Sequence, residues 1–166
     1  LINLGWNEKR HPLDKFTIEA MHQSVDEIAM HPLLLENAFQ QGHLLLREAI
    51  IKNDYNTRGI HLSSEEIFLN RGIKNEIGNI NEILCSDNTI GIPDPCQPIY
   101  MGKSIEYLSG DENNGFVPQP PNHQIDVVYL ASPNNPTGTV FSKSQLKKWV
   151  DYALKNNVLI IYDATY

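Results

Sequence analysis

Cysteine is scarce in the 166 residues: only Cys85 and Cys96 occur, with no Cys-x-x-Cys pair and no His/Cys cluster at zinc spacing. That argues against a disulfide framework and a structural metal, and reads as two reduced core or loop thiols in a reducing compartment. The six histidines are dispersed and none forms a His-x-x-x-His pair. Basic charge is short as well. Thirteen Lys and Arg stand against twenty Asp and Glu, a net charge of −7, which argues against a nucleic-acid partner, since the phosphate backbone calls for a basic surface. The acidic residues are scattered and read as a solvated surface. No segment approaches the roughly 18 consecutive apolar residues of a membrane span, and no charged-then-apolar leader opens the chain. A Gly-x-Gly-x-x-Gly turn after a strand is also missing, which sets aside a dinucleotide-binding domain. Because the chain starts without methionine and stops at Tyr166 just after an apolar strand, it is expected to be part of a longer protein.

What is present is ordinary for a globular chain: 41% hydrophobic and 20% charged residues. Helical spacing is expected over Leu13–Met30, where Phe16, Ile18, Met21, Val25, Ile28 and Ala29 recur, and again over Gly42–Tyr55. A short strand is expected at Glu66–Asn70, then a helix from Gly72 to about Leu84, and a strand at Asn88–Ile92 closed by Pro93-Asp94-Pro95. Gln97–Leu108 is read as holding a helix and Ser109–Asn122 as a turn-rich linker. Ile125–Leu130 is a strand, and Ser142–Asn156 is a helix opened by a Ser142/Gln145 capping pair, with Leu146, Trp149, Val150 and Ala153 on its apolar face. Val158–Tyr162 is read as a fully buried strand ending on Asp163. Strands alternating with helices argue for an α/β fold with a mostly parallel sheet flanked by helices. In such sheets ligands bind beyond the carboxyl ends of the strands.

Three of those ends carry candidate chemistry. Gly72, opening a helix after Arg71, is either a plain turn or an anion site at a helix N-terminus. Asn135 is held between Pro133 and Pro136, which makes it either a proline-rich turn or a rigid amide donor. Asp163, after five apolar residues, either caps a turn or meets a cationic nitrogen. On one rim, a phosphate cradle, an amide donor and a carboxylate would suit a phosphorylated, nitrogen-containing ring such as pyridoxal phosphate.

With these residues in place, the chain resembles the fold-type I (class I/II) pyridoxal-phosphate-dependent aminotransferases, and within them the LL-diaminopimelate aminotransferases. The resemblance is strongest over Ile125–Tyr166, "IDVVYLASPNNPTGTVFSKSQLKKWVDYALKNNVLIIYDATY". It extends more weakly through "INLGWNEKRHPL", "QQGHLLLREAI", "GIK" at Gly72 and "PDPCQPIY". It implies an N-terminal arm and helix over 1–35 and a partial cofactor-binding large domain over 36–166, ending before the Schiff-base lysine. By this resemblance Gly72, Ile73 and Lys74 fall at the cofactor phosphate. Asn135 and Tyr166 fall at the phenolic oxygen, Asp163 at the pyridine nitrogen and Gln97 beside the ring, with Asn135-Pro136 often cis in relatives. Asn7 and Asn37 fall at the substrate. The implied reaction moves an amino group between an amino acid (LL-diaminopimelate/tetrahydrodipicolinate) and 2-oxoglutarate/glutamate, in lysine biosynthesis. A homodimer is implied for a complete protein, in the cytoplasm, or in a plastid if the source is a plant or alga.

The departures are as specific. Gln97 stands where relatives have a ring-stacking tyrosine, and an amide offers no aromatic face. Asn37-Ala38 replaces a Tyr-Gly pair, Asn7 replaces a glycine, and the stretch between Tyr100 and Gly115 is shorter than in relatives. The Schiff-base lysine and the substrate-gripping arginine of the family lie beyond Tyr166, and Lys74 matches the phosphate position instead. The 166 residues alone are therefore expected to be inactive. The alternative is a catalytically dead or decaying relative that acts at most as a binding protein.

Overall fold

The computed structural model describes residues 11–30, 41–70, 72, 78–80, 82–97 and 104–166. Asn7, Asn37, Ile73 and Lys74 lie outside them, as does much of the helix expected after Gly72, of which 78–80 and 82–83 are helical. The chain divides after Leu69 into two compact units.

In the first unit, α1 (Lys15–Met30) starts where the Asp14 carboxylate accepts from the Thr17 backbone N–H (2.9 Å) and hydroxyl (2.8 Å), an N-cap. None of its residues is buried. Next, α2 (Leu44–Ile50) continues through a π turn, Ile51–Tyr55, and a 3-10 turn, Asn56–Arg58, and ends on left-handed Gly59. Gly42, at φ +88°, allows Gln41 and Leu69 to meet. A Cβ there would lie 2.4 Å from Leu69 Cβ, and the Leu69 N–H donates to Gln41 O at 2.8 Å. The strand expected at Glu66–Asn70 does not form. Ser63 and Glu66 close a capping box on the 3-10 turn Ser64–Glu66, and 67–70 belong to no strand. A strong local cap has prevailed over a short apolar run.

The second unit is a four-stranded, wholly parallel sheet in the order β2-β1-β3-β4, with β1 Thr89–Asp94, β2 Ser104–Ser109, β3 Val127–Ala131 and β4 Leu159–Asp163. β3 is central and buried throughout. Its side chains alternate between the two faces. Val128 and Leu130 join Ile125, Phe141, Trp149, Ala153 and Val158 on one face, while Val127 and Tyr129 join Ile90 and Ile92 on the other. Gly91 permits the close approach of β1 to the first core, since a Cβ would fall 2.7 Å from Ile125 Cδ1.

The helix α3 (Lys143–Asn156) forms as expected. The Ser142 side chain accepts from the Gln145 N–H, the Gln145 side chain accepts from the Ser142 N–H, and Asn157 ends the helix at φ 56°. Its buried face is turned slightly from the expected one. Trp149 and Ala153 are buried and Leu146 and Tyr152 pack beside them, whereas Val150 is exposed. The Trp149 indole N–H donates to Pro118 O at 3.3 Å, and its ring meets Tyr152 edge-on at 5.8 Å.

Two further expectations are corrected. The second half of Gln97–Leu108 is the strand β2 and not helix, because the edge of β1 offers six parallel partners to Ser104–Ser109. β4 is not fully buried. Among the described residues it is bonded on one side, to β3, and Leu159 and Tyr162 are exposed.

Candidate functional site

In the order β2-β1-β3-β4 the chain leaves β1 toward one side and β3 toward the other. The carboxyl ends of β1 and β3 therefore flank a topological switch point, where open α/β sheets form their ligand crevice. Gln97 follows β1, Asn135 follows β3 and Asp163 ends β4, all on that rim.

The turn after β3 is tightly built. The Asn134 N–H donates to Thr139 O (2.8 Å) and the Gly138 N–H to Asn134 O (2.7 Å), with Gly138 at φ 70°. The Ser132 N–H donates to Asp163 O at 3.1 Å, which links the ends of β3 and β4, and Ser132 Oγ accepts from the Phe141 N–H. Asp94–Pro95, Ser132–Pro133 and Asn135–Pro136 are all cis.

On this frame three of the expected side chains meet. Asn135 Nδ2 donates to the Tyr166 hydroxyl at 3.1 Å, and Gln97 Nε2 reaches the same oxygen at a longer 3.5 Å. Two amides that donate into one phenol oxygen leave its own O–H to donate elsewhere. Asp163 Oδ1 accepts from the Thr165 N–H (3.0 Å) and hydroxyl (2.6 Å), so the turn-capping role is realised. Its carboxylate also stands at the rim that Asn135 and Tyr166 share. Gly72 is exposed at φ +126°, with open space among the described residues where a Cβ would stand, and is the part of the expected phosphate site that lies within them.

The Cys96 thiol beside Gln97 is pushed up by burial first and by the Asp94 carboxylate second. It stays protonated at neutral pH, which argues against a thiolate nucleophile here. The donor set suits pyridoxal phosphate in kind: amide and phenol hydrogens for an anionic ring oxygen, and a carboxylate for a protonated ring nitrogen.

Asn134 was not singled out in the sequence. It is buried, 8% exposed, and its Nδ2 donates to Thr137 Oγ1 (2.8 Å) and to Pro95 O (3.1 Å). The Asn-x-x-Thr spacing is the signal that could have exposed the first bond. The second joins residues 39 positions apart and leaves no local trace.

Comparison with known proteins bears on the family and the fold. Residues 116–166 match the family model described as aminotransferase class I and II. The whole chain is 45% identical, over 184 residues, to the LL-diaminopimelate aminotransferase of Bacteroides thetaiotaomicron, of which it spans 45%. The L,L-diaminopimelate aminotransferase structure from Chlamydomonas reinhardtii superposes on 93% of the chain with a TM-score of 0.75 at 28% identity, and 42% of that chain is covered. For an aspartate aminotransferase from Thermotoga maritima the TM-score is 0.79 at 22% identity over 98% of this chain and 45% of that one, a likeness of fold.

The chain belongs to the class I and II aminotransferases. Within them it is LL-diaminopimelate aminotransferase-like, and it spans less than half the length of those relatives.

Proposed function

We propose that the protein carrying this chain is a pyridoxal-phosphate-dependent aminotransferase that moves an amino group between an amino acid and a 2-oxo acid. LL-diaminopimelate/tetrahydrodipicolinate with 2-oxoglutarate/glutamate is the favoured pair. The observation that carries this is the convergence of Asn135 and Gln97 on the Tyr166 hydroxyl at the switch point, with Asp163 on the same rim. Bound pyridoxal phosphate supplies a ring that withdraws electrons from a substrate carbon. Asn135 and Tyr166 would donate to the ring oxygen, Asp163 would hold the proton on the ring nitrogen, and Gly72, with Ile73 and Lys74, would take the phosphate. Asn7 and Asn37 would face the substrate, in a homodimer.

None of the residues assigned here takes the part of the Schiff-base lysine, since Lys74 is assigned to the phosphate. Turnover is accordingly expected of a chain that carries the family's lysine, and not of residues 1–166 taken alone. The test is uptake of pyridoxal phosphate by the protein at the length its gene encodes, followed by addition of LL-diaminopimelate. A bound visible absorbance that the amino acid shifts supports the reading, and an unchanged spectrum ends it.

Gln97 favours a second reading, a catalytically dead relative that only binds, because an amide replaces the stacking ring. Gln97→Tyr together with Asn37→Tyr should then restore little activity to the same protein. Substantial rescue would count against it.

A further inference from the structure

Asn134 is held in a way that stability alone does not explain. Its Oδ1 is buried and meets no donor among the described residues, an arrangement that costs stability. The amide is nevertheless fixed in orientation, because Pro95 O can only accept and the flipped amide would set oxygen against oxygen. Thr137 Oγ1, bonded in turn to Thr139 Oγ1 at 2.8 Å, holds the same Nδ2.

One amide nitrogen thus spans the switch point. It belongs to the turn that presents Asn135, and it is bonded to the carbonyl two residues before Gln97. Gln97 and Asn135 reach Tyr166 Oη from these two sides.

We propose that Asn134 is a positioning residue that sets the gap between the loop after β1 and the turn after β3, and so brings Gln97 onto Tyr166. Insofar as it concerns a cofactor site, this rests on the functional reading above. The backbone bonds of Asn134 to Thr139 and Gly138 do not need its side chain. Losing the side chain should therefore release Gln97 while leaving Asn135 on Tyr166.

That split is the test, made on the ligand-free protein at the length its gene encodes. Proton–proton contacts from the Gln97 and Asn135 side-chain amides to the Tyr166 ring are measured by NMR. Wild type should show both. Asn134→Leu, close in size but without a donor, should lose the Gln97 contact and keep the Asn135 contact. Thr137→Val removes one acceptor without altering the buried amide, and it should weaken the Gln97 contact. If Asn134→Leu does not fold, Thr137→Val decides. An unchanged Gln97 contact in the folded variants overturns the proposal, as does joint loss of both contacts, which a general loosening of the turn would produce.

Pyridoxal phosphate is then titrated separately. If wild type takes it up, Asn134→Leu should bind it several-fold more weakly. If wild type takes up none, the functional reading fails, while the ligand-free contacts still decide the role of Asn134.

Discussion

Tyr166 is about half exposed, yet two amides from distant parts of the chain end on its hydroxyl. An exposed side chain contributes little to folding, so the cost of removing that oxygen should appear in binding and hardly at all in stability. Tyr166→Phe in the protein at its encoded length should weaken pyridoxal phosphate binding about 2- to 10-fold, the worth of one hydrogen bond. The melting temperature should stay within about a degree or two of wild type. Fluorescence titration and a thermal scan on one preparation separate the two effects. Undiminished affinity would mean that the hydroxyl does not face the ring. Asn135 and Asp163 could be placed on one rim from the sequence because each follows an apolar run read as a strand, and parallel strands send their ends to one side, whereas Tyr166 was named only through the family resemblance. The bond between Gln97 and Tyr166 was not legible, since 69 positions separate them and only the sheet order brings them together.

Among the elements, α3 was the most legible because its start is written twice, in the apolar spacing and in the Ser142/Gln145 capping box. Ser142→Ala removes the acceptor for the Gln145 N–H. It should cost about 1 kcal/mol, within a range of about 0.5–2, read as a lower urea midpoint at unchanged slope. An unchanged midpoint would show that Gln145 alone suffices. At three places a single local signal misled the reading. "EIFLN" has strand composition, but Ser63 and Glu66 fold its first residue into a 3-10 turn. "SIEYLS" is a strand only because β1 lies beside it along its full length. "VLIIY" looks buried on both faces by composition, while the structure leaves Leu159 and Tyr162 exposed on a strand that, among the described residues, pairs with β3 alone. Composition reports what a strand would bury, and neighbours decide what it does bury.

At the scale of the whole chain, the α/β class followed from the alternation of elements, but surface exposure did not. On α1, Ile18, Met21, Val25 and Ile28 recur at helical spacing on one side, and all four are exposed, Val25 at 65%. Such a stripe in water favours association over solubility, and the net charge of −7 opposes close approach only weakly once salt screens it. Residues 1–166 expressed alone should therefore form larger species as concentration rises, measured by sedimentation velocity at physiological salt. Met21→Gln with Val25→Gln leaves the charge unchanged and disturbs no buried contact, because α1 has no buried residues. The double variant should return toward monomer with its thermal midpoint unmoved. If the unaltered chain is instead a monomer at every concentration, the stripe does not drive association. If the variant associates as strongly, the exposed residues of β4, Leu159 and Tyr162, become the surface to change next.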